Sequence, residues 1–268
     1  MLRELLMADG EYLFEPAPLA STQALCAAHD PAYVQSFLDG TIPAQVIRRI
    51  GFPWSPQLAT RTLASAGGTL AAAQSALDTG FSGALAGGTH HAFYGEGSGF
   101  CVFNDIAVAI RHLKLERVAV IDLDVHQGDG TAQSFQGDPN VFTLSIHSRH
   151  NFPYRKQQST LDVELDDNTA DAQYLRALDT ALEQVAEFQP KFLFYQSGVD
   201  GLQEDKLGRL ALTHNGLIDR DRRVLGFASK ASAPLVITLG GGYAEPIDLT
   251  VRAHHNTFRE AVTNWRKI

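Results

Sequence analysis

The 268 residues include only two cysteines, Cys26 and Cys101, too few for a disulfide framework or a thiolate metal site. No apolar stretch reaches the roughly 18 residues that a membrane span requires. The first ten residues carry Arg3, Glu4 and Asp9 where a secretory leader would have an apolar core. Lys and Arg number 22 against 30 Asp and Glu, for a net charge of −8, and they form no basic run. A direct grip on nucleic-acid phosphates is therefore not expected. Repeats, low-complexity tracts and linkers rich in Pro, Gly or Ser are missing as well. What remains is a reduced, cytoplasmic type of chain without a membrane or nucleic-acid partner, and nothing in it sets an oligomeric state.

Hydrophobic residues make up 44% of the chain and charged ones 19%, a balance that builds a sizeable core. Short apolar runs, expected as strands buried on both faces, fall at Ala84–Ala86, Val118–Leu123, Val141–Ile146, Phe192–Gln196 and Leu235–Leu239. Between them lie helical candidates at Pro56–Leu77, Asp105–Leu113, Asp171–Phe188, His214–Ser232 and Pro246–Trp265. Alternation of this kind predicts an α/β fold, a three-layer α/β/α arrangement around a mostly parallel sheet. One domain over residues 1–268 is the simplest organisation. Polar residues follow strand after strand at the carboxyl end, where open parallel sheets bind ligands. They are His90 and His91, Asp122 to Asp129, Ser145 and His147, Asp200, and Tyr243.

The densest cluster is Asp122-Leu-Asp124-Val-His126-Gln-Gly-Asp129. Burying bare carboxylates costs several kcal/mol each unless a cation compensates them. On a strand, Asp124 and His126 would share a face, with Asp200 as a third ligand from a neighbouring strand end. Two carboxylates and an imidazole neutralise a divalent cation and leave a coordination position open. Asp129 alone also reads as a helix cap. The tandem His90 and His91 are either satisfied core histidines or an acid–base pair, with Asp122 and Asp129 placed to accept their ring N–H groups. Tyr243, after Gly240-Gly241-Gly242, is either part of an ordinary glycine turn or a phenol aimed at a developing oxyanion. Gly99, Phe100 and the more distant Phe152 are channel walls for a slim substrate or ordinary core positions. Asn104 or Asp105 caps the next helix, and Cys101 reads as an inert buried thiol.

Taken in order, Gly-Gly-Thr-His90-His91-Ala, Gly-Phe100-Cys-Val-Phe-Asn-Asp, the cluster just described, Ser-Gly-Val-Asp200 and Leu-Gly-Gly-Gly-Tyr243 resemble the zinc-dependent histone deacetylase family. Gln127 and the segment Arg49-Ile-Gly-Phe-Pro-Trp54-Ser are similar to its small bacterial and class IV branch. The resemblance implies an arginase–deacetylase fold and hydrolysis of an N-acyl-lysine amide, acetyl or longer. Asp124, His126 and Asp200 would hold one zinc ion per chain. His91 would be the general base and later the acid, His90 its electrostatic partner, and Tyr243 the oxyanion donor, while Asp122 and Asp129 orient the histidines. A potassium ion would sit among Asp122, Ser145 and the main-chain oxygens of Asp124, His126 and Ile146. Relatives carry a strand before the segment that resembles Leu2–Leu6, so the first strand of the family is expected to be missing here.

Three other readings compete. An arginase-like dimanganese site needs a carboxylate where Gly198 stands. An acetylpolyamine hydrolase would have an acidic gatekeeper where Leu207 stands, although Glu204 is near. An acyl-lysine binding protein that has lost activity would usually lack the tyrosine or a ligand, and all of these residues are present. The partner expected is therefore an acylated protein or a small acylated amine.

Overall fold

The computed structural model describes residues 1–265, and the last three positions of the expected 1–268 unit lie outside them. Four short helices come first, α1 (Leu2–Asp9), α2 (Thr22–Leu25), α3 (Pro31–Leu38) and α4 (Ala44–Ile50), then the long α5 (Pro56–Thr79). There follow β1 (Phe81–Gly83), α6 (Asp105–Leu113), β2 (Val118–Asp122), α7 (Asp129–Ser134), β3 (Val141–Ser148) and β4 (Leu161–Leu165). The chain continues with α8 (Asp171–Phe188), β5 (Phe192–Gln196), α9 (His214–Ala231), β6 (Leu235–Thr238) and α10 (Ile247–Trp265).

The six strands form one open sheet in the order β1-β6-β5-β2-β3-β4, and each pairing is parallel. Strand side chains alternate between two cores. Ala119, Ile121, Leu193, Tyr195 and Ile237 pack with α8, α9 and α10 on one face, where α1 adds Leu6. Val118, Val120, Phe192, Phe194 and Val236 pack against α3, α5 and α6 on the other. The α/β/α sandwich expected from the alternation is thus present, with β2, β5 and β6 buried along their whole length.

Helix starts follow local chemistry. Ser55 Oγ accepts from Leu58 N at 3.1 Å with Pro56 in the first turn of α5. Asn104 Oδ1 accepts from Ala107 N at 2.9 Å, so Asn104 rather than Asp105 caps α6.

Three elements depart from the sequence expectation. The run Ala84–Ala86 is not a strand. The strand is the preceding Phe81–Gly83, a half-exposed edge paired with Leu235–Ile237, and the chain then bends through Gly87 and Gly88 at positive φ. Strand β3 continues to Ser148 because β4 pairs with it up to Leu165, so Ser145 and His147 lie inside the strand and not beyond its end. β4 itself alternates Leu161-Asp162-Val163-Glu164-Leu165, a period-2 pattern of an edge strand that a search for continuous apolar runs passes over.

His29 ties the N-terminal helices to the segment that leads into the site. Its Nδ1 donates to Phe93 O at 2.9 Å, and its Nε2 accepts from Asn104 N at 2.8 Å. Burial holds its pKa down to about 4, against the pull of its carbonyl partners. The unfolded chain takes up this proton near the usual 6.5, so the contribution of His29 is complete above that pH and is lost as pH falls towards 4. We expect urea unfolding from pH 7 to pH 4 to show a larger loss of stability in the wild type than in His29→Asn. The difference should be about 3 kcal/mol; parallel pH dependences in the two proteins would refute the assignment.

Candidate active site

The chain leaves β2 at Asp122 and does not continue as a strand. Asp122 Oδ1 accepts the N–H of Asp124 at 3.1 Å, and Asp124 Oδ1 accepts the N–H of His126 at 3.0 Å. Each carboxylate thus turns the chain two residues on. The Asp-x-Asp-x-His spacing works through successive side-chain turns, which corrects the expectation of a pleated strand. Asp200 arrives from the loop after β5, the sheet neighbour of β2. Its Oδ1 accepts from Val125 N at 2.9 Å, while Asp124 Oδ2 accepts from Gly241 N at 2.7 Å. The remaining oxygens converge on His126 Nδ1, at 3.0 Å from Asp124 Oδ1 and 3.1 Å from Asp200 Oδ2. Ligand atoms of Asp124, His126 and Asp200 all lie within 4.8 Å of one another.

Glycines make this approach feasible. A Cβ added at Gly198 would overlap Asp124 Oδ2, and one at Gly241 would overlap Asp200 Oδ2. The electrostatics also favour a cation. Burial and the nearby Asp124 push the Asp200 carboxyl up to about 7. Burial opposes charge on His126, yet its two carboxylate partners raise its pKa to about 10, so a proton stands where two anions converge. A divalent cation on the same three donors would take over that role and release the proton.

His90 and His91 lie alongside, with ring centroids 4.0 Å apart. His90 Nδ1 meets Asp122 Oδ2 at 2.8 Å, and His91 Nδ1 meets Asp129 Oδ1 at 2.6 Å. Asp129 is the first residue of α7, but Gly128 holds the cap position and no side chain caps the helix, so the expected capping role of Asp129 is not seen and its contact with His91 is what remains. Burial works against charge on both rings. In His90 the carboxylates of Asp122 and Asp124 overcome it and raise the pKa to about 9. In His91 burial and the neighbouring His90 prevail over Asp129 and hold the pKa down to about 4. At neutral pH His91 donates its Nδ1–H to Asp129 and keeps a free lone pair on Nε2. Tyr243 is partly exposed at the end of the glycine segment. Burial, then Asp124 and Asp200, drive its pKa upward, which preserves the phenol as a donor.

Gly99 and Phe152, two of the residues expected as channel walls, lie against His91. The Phe152 ring stands edge-on to His91 at 4.9 Å. Gly99, at positive φ, has no room for a Cβ between His91 and Phe152. Phe100 also has positive φ, is 47% exposed, and lies tilted against Phe52 with ring centroids 5.1 Å apart, so it is a surface residue and not a core one. Its N–H donates to Ile50 O at the end of α4. Of the residues expected around potassium, Asp122 and Ser145 are direct neighbours across β2 and β3, with Ile146 next along the strand.

The chain matches the histone deacetylase domain profile over residues 1–258. The chain belongs to the histone deacetylase family. It is 44% identical over 270 residues to an uncharacterized protein of Picosynechococcus, covering 97% of this chain and 90% of that one. It is 33% identical over 256 residues to histone deacetylase 2 of Arabidopsis thaliana, covering 89% of this chain and 66% of the plant protein. It is 34% identical over 250 residues to the acetoin utilization protein AcuC of Bacillus subtilis, covering 84% of this chain and 65% of that protein. The chain therefore spans about two thirds of the length of the plant and Bacillus relatives. Among the described residues no helix is long and apolar enough to cross a membrane.

Behind the Asp124–His126–Asp200 triad is a group that sequence reasoning missed. Arg220 on α9 is fully buried. Its guanidinium donates to Gly198 O at 2.5 Å, Ser197 O at 3.4 Å and Leu123 O at 3.5 Å, the main chain on which Asp200 and Asp124 are carried. Asp221 neutralises it at 2.8 Å and also accepts from Tyr195 Oη at 2.5 Å and Thr257 Oγ1 at 2.6 Å. The signal was available: Leu217, Arg220, Asp221, Val224, Leu225 and Ala228 share the buried stripe of α9, so two charges fall on an apolar face. Removing one partner of a buried pair typically costs about 3–5 kcal/mol. We expect Arg220→Met to lose stability of this order in urea unfolding and Arg220→Met/Asp221→Asn to recover part of it. A loss within about 1 kcal/mol for Arg220→Met would show that the pair is not needed.

Proposed function

We propose that this chain is a zinc-dependent deacylase that hydrolyses the amide of an N-acyl-lysine, acetyl or longer. The observation that carries this reading is the meeting of the Asp124–His126–Asp200 triad with a histidine pair in which each ring is held by its own aspartate. The donor set fits one divalent ion: two carboxylates and an imidazole nitrogen, with the second oxygens of both carboxylates taken up by main-chain N–H groups. Bound zinc there supplies Lewis acidity at the scissile carbonyl and a water whose pKa falls to about 7.

The chain's own residues do the rest. Neutral His91 takes the proton of the attacking water on Nε2 and returns it to the leaving amine, while Asp129 keeps its tautomer fixed. His90, held in the charged form by Asp122, adds positive charge beside the developing oxyanion. The Tyr243 phenol donates a hydrogen bond to that oxygen. Phe152 and Gly99 both lie against His91, and we take them as walls for an extended acyl-lysine side chain. Leu207 is 45% exposed, its carbonyl accepts from Asn151 beside Phe152, and it has no charge with which to hold a polyamine. We further place a potassium ion among Asp122, Ser145 and the main-chain oxygens of Asp124, His126 and Ile146, supported by the pairing of Asp122 with Ser145. The free thiols of Cys26 and Cys101 suit a reducing, cytoplasmic compartment.

The test is hydrolysis of acetyl-lysine, long-chain acyl-lysine and acetylspermidine substrates before and after chelation, with metal analysis alongside. We expect lysine substrates to be cleaved, one zinc per chain to be found, and Asp200→Asn to lose the metal. Tyr243→Phe should retain zinc while kcat falls by roughly 100- to 1,000-fold. Turnover of acetylspermidine alone, or full activity after complete metal removal, would overturn the reading.

A further inference from the structure

Asp205 lies five positions beyond Asp200, on the loop that carries Leu207. Its carboxylate is engaged on both oxygens. Oδ1 accepts the N–H groups of Leu207 at 2.8 Å and Gly208 at 2.9 Å, a local turn. Oδ2 reaches across to the segment after β6 and accepts the N–H of Tyr243 at 2.6 Å. Two further contacts join the same segments: Asp205 bridges Ala244 in antiparallel fashion, and Lys206 pairs with Glu245. On its other side, the Tyr243 segment is held by Gly241 N on Asp124 Oδ2 and by Val199 N on Gly241 O. The main chain of Tyr243 is thus held between a metal-triad carboxylate and Asp205.

From this we infer that Asp205 is a positioning residue for the reaction: it fixes the main chain of Tyr243 and so keeps the phenol directed at the reacting carbonyl. The inference rests on the deacylase reading given above. All three partners of Asp205 are N–H donors, so the position requires an acceptor on both oxygens. An asparagine supplies only one. If its oxygen keeps the local turn with Leu207 and Gly208, its NH2 group faces the N–H of Tyr243, and the two donors repel. Asp205→Asn therefore keeps the loop turn while releasing the tyrosine, which separates positioning from simple loop stability.

The experiment is a double-variant cycle on the zinc-loaded full chain, read by steady-state kinetics and by hydrogen exchange of a peptide covering Gly241–Pro246. In the wild-type background Asp205→Asn should lower kcat by about tenfold or more with KM and zinc content little changed, whereas in the Tyr243→Phe background it should add less than about twofold. Exchange at the Tyr243 amide should accelerate by a similar factor, about tenfold. Asp205→Glu, which restores two acceptor oxygens on a longer arm, should recover part of both readouts. Equal kcat losses in the two backgrounds, or unchanged exchange at Tyr243 in Asp205→Asn, would overturn the inference. If the wild type hydrolyses no acyl-lysine substrate, the deacylase reading fails, and the exchange measurement still decides whether Asp205 holds Tyr243.

Discussion

Two buried carboxylates meeting at one imidazole nitrogen set the conditions for the surrounding structure. Asp124 and Asp200 are both almost completely buried, and each points an oxygen at His126 Nδ1. Like charges at such range repel strongly in a medium of low dielectric. Each carboxylate is therefore satisfied on its other oxygen by a main-chain N–H, from Val125 and from Gly241. The backbone can come that close only because residues 198 and 241 are glycines. The cation of Arg220 lies behind, on the carbonyls of the same segments. The strand order serves the same end. β6, β5 and β2 are consecutive in the sheet, and the segments that follow them deliver Gly241 and Tyr243, Asp200, and Asp124 with His126 to one edge. These are also the three strands buried along their whole length, so the fully buried part of the sheet lies under the triad.

The two histidines show how far environment separates identical residues. Adjacent in sequence, almost equally buried, and each bonded to an aspartate through Nδ1, one is pushed up to about 9 and the other held down to about 4. Desolvation disfavours charge on both. What differs is the company each keeps. His90 faces two carboxylates, Asp122 and Asp124, and His91 faces one, with charged His90 beside it. Once one ring of the pair holds a proton, the other is discouraged from doing so. The result is a charged ring and a neutral one side by side at the same pH.

Much of this was legible in the sequence. Central strands read clearly because burial on both faces demands continuous apolar runs, and Phe192–Gln196 keeps its expected bounds. Helices α6 and α8 also keep theirs. The eight residues expected to carry metal and acid–base chemistry do converge. Legibility fell where the determining contact is long-range or the element is short. β1 is a three-residue edge, and helices α1 to α4 span eight residues or fewer, too short for a periodicity to show. Arg220 and Asp205 act through main-chain atoms of distant segments, and no local pattern marks a side chain whose partner is a carbonyl or an amide elsewhere in the chain. Arg220 at least left a trace, a charge on an apolar stripe, whereas Asp205 looks like any loop aspartate until Tyr243 is placed against it.

The geometry around Gly198 also bears on how many metal ions such a site can hold. The dimanganese alternative needs a carboxylate two residues before Asp200, and its absence from the sequence is only a statement about one residue. The structure makes it a statement about space. At 198 even a methyl group would collide with Asp124 Oδ2, and at Gly240 an added Cβ would stand 3.0 Å from the same oxygen. The volume a second ligand would enter is occupied by the first carboxylate, which cannot move without giving up the N–H of Gly241 and the approach to His126. Replacing Gly198 by aspartate would therefore displace the existing triad and not extend it. Among the described residues Asp124, His126 and Asp200 are the one group that brings three such ligand atoms together. The glycines beside them do more than permit close approach, because they leave no room at this triad for a further carboxylate.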